Sequence, residues 1–273
     1  MPLDALALGL AAAIVHALWN LLTARAVESQ VAAGVALGIG TLVFLPVALV
    51  TWDVRAGVLP YIVASSALEI AYLALLATAY QRAPLSVVYP VARGTAPVIV
   101  LAVSVLALGE SLPAAAVTGV VAVGAGVLMV RGTSRGGRGA LLGLSIAACI
   151  AGYTLVDNGG LDHAAPIPYL ELVMIPTAVL YLAGAAALRG PRALLAELRP
   201  SVAVAGVGMF GAYALALAAL ARAASAPVAA VRESSVVIAT ALAAVVLHEH
   251  VDRGRWTGAV LVVGGVAAIA LAG

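Results

Sequence analysis

Two arginines inside apolar stretches are the residues of this sequence best suited to chemistry. Arg93 lies in residues 84–110, and Arg232 lies 139 residues later in residues 227–249, which follow the same plan. An arginine near the middle of a membrane costs about 2.5–3.5 kcal/mol even on a forgiving scale. Both guanidinium groups are therefore expected to face a polar interior, where their planar fork suits a carboxylate or a phosphate.

A buried acid is the second candidate. Glu69 lies about a dozen residues into the third apolar stretch, and Tyr72 shares its helical face. An acid at that depth is expensive unless it is paired or neutral, and the two arginines are its obvious counter-charges. Two roles stay open. In the first, Glu69 takes up and releases a proton. In the second, Glu69 forms a permanent ion pair that holds helices together.

Polar side chains accompany these charges at helical spacing. They are His16 and Asn20 in the first apolar stretch, Tyr89 one turn before Arg93, and Ser235 three residues after Arg232. Residues spaced by three or four share a face of a helix, so Ser235 is predicted beside Arg232, while the adjacent Glu233 is a poor partner for it. Two roles stay open for His16 and Asn20. They form interhelical hydrogen bonds of about 1 kcal/mol or less each. Alternatively, they line a cavity in which His16 binds a ligand or carries a proton.

Enzyme chemistry is missing from the sequence. It contains no glycine-rich phosphate loop, no Ser/His/Asp arrangement and no paired-cysteine metal spacing, so we predict no catalytic residues and no cofactor. A cluster at His248, Glu249, His250 and Asp252 resembles a metal site, but histidines two residues apart point to different helix faces, and we predict no metal. The net charge of +2 gives no reason to expect a nucleic-acid partner.

Composition shows which elements must hold these side chains. Hydrophobic residues make up 64% of the 273 residues and charged residues only 10%, against about 45–50% and 25% in soluble domains. Segments of about 20 apolar residues cross a bilayer as helices. We predict an all-α polytopic membrane protein with ten transmembrane helices, near 3–23, 31–51, 58–80, 84–108, 113–131, 139–157, 167–188, 201–221, 225–247 and 256–272.

The chain is a duplication. Glu249 follows Glu110 by the same 139 residues that separate the arginines, and glycines of the fifth and tenth spans repeat at this offset. We place the first repeat at 1–131, a linker at 132–138 and the second repeat at 139–273. Five spans per repeat is an odd number, so the second repeat is expected to be inverted in the membrane. The glycine-rich fifth and tenth spans are expected to serve as scaffold or as the surface of a homodimer.

The two arginine-bearing spans differ in their prolines. The fourth span contains Pro90 and Pro97, whereas the ninth has Ala229 and Val236 at the corresponding positions. Each proline removes a backbone hydrogen bond, so a break is expected in the fourth span and not in the ninth. In the seventh span, Glu171 lies near the end and is predicted to be a polar residue at the membrane interface.

At these residues the chain resembles the ten-helix EamA-type exporters of the drug/metabolite transporter superfamily. The marks are aromatic residues in the first helix of each repeat, Trp19 and Tyr153, and a fourth helix with Pro97 that ends in Gly109-Glu110. The chain departs from the pattern with His248 in place of a glycine and with Val236 where the ninth helix often has proline. The resemblance implies a central cavity lined by helices one to four and six to nine, and it adds Trp19 to the candidate lining.

This family exports amino acids, metabolites or drugs. Small multidrug relatives bind cations through a carboxylate in the first helix, where this chain has only His16 and Asn20. The lack of that carboxylate, and the two arginines inside apolar spans, favour a small anionic or zwitterionic metabolite as the substrate. The alternatives are multidrug efflux, lipid flipping and a membrane scaffold, and a scaffold would not need two costly arginines. We expect a multi-pass protein of the cell membrane, in bacteria the inner membrane.

Orientation in the membrane stays open. Loops after odd-numbered spans hold ten arginines and loops after even-numbered spans hold two. Positively charged loops face the cytoplasm, which places both termini outside. The family resemblance implies the opposite, with both termini in the cytoplasm.

Overall fold

The computed structural model describes residues 1–23, 28–83, 85–131, 137–246 and 253–272. Nearly all of these residues are helical, which confirms the predicted all-α class. The helices are α1 (Leu3–Thr23), α2 (Ser29–Val50), α3 (Leu59–Arg82), α4 (Leu85–Leu106), α5 (Ala114–Arg131), α6 (Gly137–Gly160), α7 (Pro166–Arg189), α8 (Pro191–Ala196), α9 (Pro200–Leu220), α10 (Ser225–Arg232), α11 (Ser234–Val246) and α12 (Arg253–Leu271).

Within the described residues, eight helices are long and apolar enough to cross a membrane: α1, α2, α3, α4, α6, α7, α9 and α12. Helix α5 is shorter but apolar, and α10 and α11 together occupy the ninth predicted span. Inside a bilayer every backbone N–H and C=O must be satisfied by protein, so an apolar chain of this kind folds as helices. The molecule is a multi-pass membrane protein, and its helices agree with the ten predicted spans.

Helix ends follow from proline and glycine. Prolines lie in the first turn of α3, α7, α8 and α9, where the missing N–H has no intrahelical acceptor to lose. Helix α7 ends at Gly190, whose φ of 82° lies in the left-handed region that favours glycine. These signals separate the long helices from their short connections.

Helices α5 and α12 pack through glycine backbones. A Cβ on Gly119 would lie 2.6 Å from the carbonyl oxygen of Gly265, and one on Gly126 would lie 2.6 Å from that of Gly258. In the duplication Gly119 corresponds to Gly258 and Gly126 to Gly265, so equivalent glycines pair crosswise. The two helices therefore run antiparallel about an approximate two-fold axis. The packing of α1 along α9 and of α6 along α3 shows the same exchange between repeats.

The helix break lies in the ninth span and not in the fourth, where the prolines had predicted it. Helix α4 includes both Pro90 and Pro97, whereas α10 ends at Arg232 and α11 begins at Ser234. The Ser234 hydroxyl donates to a carbonyl of the preceding turn at 2.7 Å, a local bond that competes with helix continuation. The turn residue between the two helices is Glu233, and its side chain is bound to α4.

Candidate functional site

A polar cavity of about 150 Å³ lies at the centre of the helix bundle. Side chains from α1 to α4, α6, α7, α9 and α10 line it, which are the helices that the family resemblance implied. Six of the nine predicted site residues lie in its wall. Its polar and aromatic members are His16, Trp19, Glu69, Tyr72, Arg93, Tyr153, Thr177, Tyr181, Phe210, Tyr213 and Arg232.

A groove of about 280 Å³ adjoins this cavity on the side of one end of the bundle. It runs between α2, α3 and α7 to Gln30, Gln81 and Arg189, and Leu73 and Tyr181 line both the groove and the cavity. We call this the open end. A wider depression of about 830 Å³ between α2, α7 and α9 shares no lining residue with the central cavity, so it is a separate hollow.

The opposite end of the bundle is held shut by its loops. The Arg55 N–H donates to the carbonyl oxygen of His163 at 2.8 Å, and the Ala165 N–H donates to that of Asp53 at 2.9 Å. These bonds tie the α2–α3 connection to the α6–α7 connection. We call this the closed end.

Arg93 is neutralised within the protein. Its Nε lies 3.0 Å from Oε2 of Glu233, and the two side chains are 11% and 5% exposed. The N–H does not point at that oxygen, so the contact is an ion pair and not a linear hydrogen bond. Arg93 Nη2 also donates to Ser235 Oγ at 3.4 Å. Ser235 therefore belongs with Arg93 and not with Arg232 as predicted, because the helical spacing rule does not hold across the turn at Glu233.

The surroundings of Arg232 differ from those of Arg93. Among the described residues, no carboxylate oxygen lies within 4.0 Å of its guanidinium. Its Cζ lies 5.6 Å from the ring centroid of Tyr213, a cation–π contact. The side chain is half-buried in the cavity wall. A guanidinium without an ion-pair partner in this part of the chain thus faces the cavity.

Glu69 is buried in the cavity wall, with 6% of its surface exposed. In the described structure neither Arg93 nor Arg232 comes within 4.0 Å of its carboxyl. The permanent ion pair that the sequence left open is therefore not the arrangement found. Glu69 shares the cavity wall with Tyr213, whose hydroxyl donates its hydrogen bond to Asp157.

Sequence reasoning missed Asp157, an acid that accepts three side-chain hydrogen bonds inside the bundle. It is 1% exposed and accepts from Ser65 Oγ at 2.5 Å, from the Tyr169 hydroxyl at 2.9 Å and from the Tyr213 hydroxyl at 2.6 Å. The sixth span was predicted at 139–157, with Asp157 as its last residue, whereas the helix continues to Gly160.

Three predicted site residues lie outside the cavity. Asn20 donates from Nδ2 to the carbonyl oxygen of His16 at 2.8 Å, within its own helix. Tyr89 lies beside a smaller hollow that it shares with Tyr72 and Arg93. Ser235 lies outside the cavity wall, in contact with Arg93. The cluster from His248 to Asp252, with Glu249, falls outside the described residues.

Glu171 is buried, contrary to the interface position predicted for it. It is 1% exposed, and neither carboxylate oxygen has a hydrogen-bond partner in the part of the chain that the structure describes. Helix α7 is covered by neighbouring helices at this turn, although the residue is only the sixth of the helix. A buried polar group without partners destabilises a fold by about 1–3 kcal/mol.

We expect Glu171→Met to raise the free energy of unfolding by about 1–3 kcal/mol, because an apolar side chain of similar size removes the unpartnered carboxyl. Thermal unfolding of the purified protein in detergent measures the effect. Leu170→Met is the matched control on the same turn, since a volume-conserving swap should not stabilise. A lower melting temperature for Glu171→Met would show that this carboxyl contributes to stability.

Comparisons with known proteins agree with this architecture. The model of the EamA-like transporter family matches the chain twice, at residues 4–132 and 137–271. Among 26 solved chains that match, one protein known from a crystal structure has a TM-score of 0.76 at 21% identity, over 99% of this chain and 98% of that chain. At that identity the likeness concerns the fold alone. A search of curated proteins gives no match.

Proposed function

We propose, since the chain belongs to the EamA-like transporter family, that it is a secondary transporter of a small zwitterionic or anionic metabolite such as an amino acid or an organic acid. The solute occupies the central cavity, which opens alternately to the two sides of the membrane between two inverted repeats. We further propose that it acts as an exporter in the bacterial inner membrane. A homodimer stays a prediction, because the glycines of α5 and α12 that suggested it pack against each other within the chain.

The observation that carries the proposal is the contrast between the two arginines. Arg93 has Glu233 at 3.0 Å, whereas Arg232 contacts the Tyr213 ring and has no carboxylate oxygen within 4.0 Å in the described residues. A buried charge is normally paired. A solute carboxylate is the natural counter-ion for Arg232, since its guanidinium offers two parallel N–H donors to a planar anion.

The rest of the wall suits a positively charged amine. Glu69 lies in the same cavity as Arg232, and the rings of Tyr72, Tyr153 and Tyr213 line it, with successive centroids 6.3 Å and 6.0 Å apart. Aromatic faces and a carboxylate both stabilise an ammonium group. The cavity of about 150 Å³ is also smaller than the about 300–1,000 Å³ that drug-sized ligands need. These features favour an amino-acid-like zwitterion over a large drug.

Charge balance connects this substrate to export. When the solute ammonium approaches Glu69, it takes the place of a proton on that carboxyl. Solute and proton then compete for the site, so they cross the membrane in opposite directions. A proton gradient directed into the cell would drive the solute out. Glu69 is thereby the candidate coupling residue.

We expect Glu69→Gln to lose solute accumulation driven by a pH gradient in proteoliposomes, because glutamine cannot exchange a proton. Glu110→Gln is the matched control, since Glu110 follows the end of α4 and does not line the cavity. Retained pH-driven uphill transport in Glu69→Gln would remove Glu69 from the coupling step.

The function itself is tested by a panel of radiolabelled solutes. Purified protein in liposomes is offered amino acids, organic acids, phosphorylated acids and cationic drugs, and exchange across the membrane is measured. The proposal predicts exchange of one or more amino acids or small acids above protein-free liposomes. Exchange of cationic drugs alone, or lipid flipping without solute exchange, would favour a different function.

A further inference from the structure

The buried carboxyl of Asp157 holds the tyrosine that contacts Arg232. Its Oδ2 accepts a hydrogen bond from the Tyr213 hydroxyl at 2.6 Å, and the Cζ of Arg232 lies 5.6 Å from the centroid of the Tyr213 ring. We propose that Asp157 is a positioning residue for solute binding, which fixes Tyr213 so that its ring fixes the guanidinium of Arg232 in the cavity wall. The inference rests on the proposed function and deepens it.

The position of Asp157 does not depend on Tyr213. Ser65 Oγ on α3 and the Tyr169 hydroxyl on α7 both donate to Oδ1 of Asp157, at 2.5 Å and 2.9 Å. These two bonds join α6 to two other helices, and Asp157 is only 1% exposed, so water does not compete for its carboxyl. A buried network of this kind is rigid when its members are satisfied. Oδ2 therefore offers the Tyr213 hydroxyl an acceptor at a fixed place.

Helix α6 holds Tyr213 at two points. Tyr153 precedes Asp157 by four residues, so the two side chains share one face of α6. The Tyr153 and Tyr213 rings lie with their centroids 6.0 Å apart and their planes inclined by 48°, while Asp157 holds the hydroxyl at the far end of the Tyr213 side chain. Contacts at the ring and at the hydroxyl together restrain the side-chain torsions of Tyr213.

The ring of Tyr213 in turn restrains Arg232. Arg232 is the last residue of α10, and in the described part of the chain no carboxylate oxygen lies within 4.0 Å of its guanidinium. A long arginine side chain loses rotamer freedom when it is fixed. The contact with Tyr213 at 5.6 Å is within the about 6 Å at which a cation is attracted to a ring face. Part of that ordering is therefore complete before a solute arrives.

An acid placed one ring away from Arg232 suits a binding site better than an acid in contact with it. Glu233 neutralises Arg93 directly, at 3.0 Å. A carboxylate in the same position at Arg232 would compete with a solute carboxylate for the N–H donors of the guanidinium. Asp157 holds Arg232 through Tyr213 and leaves those donors to the solute.

A double-mutant cycle on solute binding tests this role. The Kd is measured in detergent with the radiolabelled amino acid or organic acid that the wild-type protein exchanges fastest, for wild type, Tyr213→Phe, Arg232→Lys and the double variant. Phenylalanine keeps the ring and removes the hydroxyl that Asp157 holds. We expect Tyr213→Phe alone to raise the Kd by about 3- to 10-fold. Beside Arg232→Lys we expect less than about a twofold further increase, because both changes act through one contact.

Asp157→Asn tests the carboxyl itself. Asparagine offers one carbonyl oxygen where the carboxyl offers two, so it cannot hold all three hydroxyls in the same way. We expect Asp157→Asn to raise the Kd in the range of Tyr213→Phe, and the combination of the two changes to bind no more weakly than either alone. If Asp157→Asn does not fold, Tyr213→Phe decides the question, since it leaves the bonds of Ser65 and Tyr169 to Asp157 in place.

Tyr169→Phe is the matched control. It removes one hydroxyl from the same carboxyl, but Tyr169 does not line the cavity, so the wild-type Kd is expected even where the melting temperature falls. The positioning role is overturned by an unchanged Kd in Tyr213→Phe, by equal increases in Tyr169→Phe and Tyr213→Phe, or by the same factor for Tyr213→Phe with and without Arg232→Lys. Wild-type protein that exchanges no solute would instead overturn the proposed function.

Discussion

Arg232→Lys is expected to raise the KM for solute transport by about 10- to 100-fold, with normal expression and folding. Lysine keeps the positive charge but loses the planar fork that holds a carboxylate through two parallel bonds. A hydrogen bond to a charged group is worth about 1.5–3 kcal/mol, and each 1.4 kcal/mol corresponds to a tenfold change in affinity. Initial rates of uptake into proteoliposomes at graded solute concentrations give the KM.

Arg93→Lys is the matched comparison for this measurement. Arg93 sits in the same cavity, but Glu233 already neutralises it at 3.0 Å. Its KM is therefore expected to change much less than that of Arg232→Lys. Equal KM values for Arg232→Lys and the wild-type protein would exclude Arg232 from substrate binding, and equal increases in both variants would mean that the two arginines bind the substrate together.

Arg93→Met is expected to lower the free energy of unfolding by about 3–5 kcal/mol, because it breaks a buried ion pair by removing one of its charges. Glu233 is 5% exposed at its side chain, so water cannot replace the arginine. Denaturation in detergent, followed by the loss of helical circular dichroism, measures the change. The expected effect is a substantial part of the about 5–15 kcal/mol that stabilises a typical domain.

A double variant separates charge from packing at this position. Arg93→Met combined with Glu233→Leu removes both charges, and replacement of a buried ion pair by apolar side chains is often neutral or stabilising. We expect the double variant to recover most of the loss. If it is as unstable as Arg93→Met alone, the arginine contributes through its packing and through Ser235, and not through the ion pair.

The architecture could be predicted because it depends on features that repeat along the chain. Long apolar segments predict membrane helices, and the matched positions of Arg93 and Arg232 predict a duplication. The same offset makes Gly119 equivalent to Gly258 and Gly126 to Gly265, the glycines that the structure brings together. These properties depend on spacing and composition, which a sequence displays directly.

The pairing of the charges could not be predicted in the same way. Helical spacing predicted Ser235 beside Arg232. The turn at Glu233 changes the direction of the following helix, so Glu233 forms an ion pair with Arg93 and Ser235 accepts a hydrogen bond from Arg93. Whether a helix breaks at a serine or at a proline depends on contacts with distant helices. Local propensity alone predicted the break in the wrong span.

Asp157 was missed for a related reason. Its three partners come from α3, α7 and α9, so its importance arises from tertiary contacts between residues up to 92 positions apart. No acid occupies the equivalent position in the first repeat, and comparison of the repeats therefore gave no hint. Glu171 was likewise misjudged, because nearness to a helix end does not determine burial.

Binding of the solute in the cavity can be observed through Trp19. The chain contains three tryptophans, and the other two, Trp52 and Trp256, are 51% and 65% exposed. With Trp52→Phe and Trp256→Phe in place, the remaining fluorescence comes from the cavity wall. We expect amino acids or small organic or phosphorylated acids to change it saturably, and Arg232→Lys to raise the Kd by about 10- to 100-fold. No saturable change with any of these solutes, or the same Kd with and without Arg232, would contradict a cavity built to hold a carboxylate on this arginine.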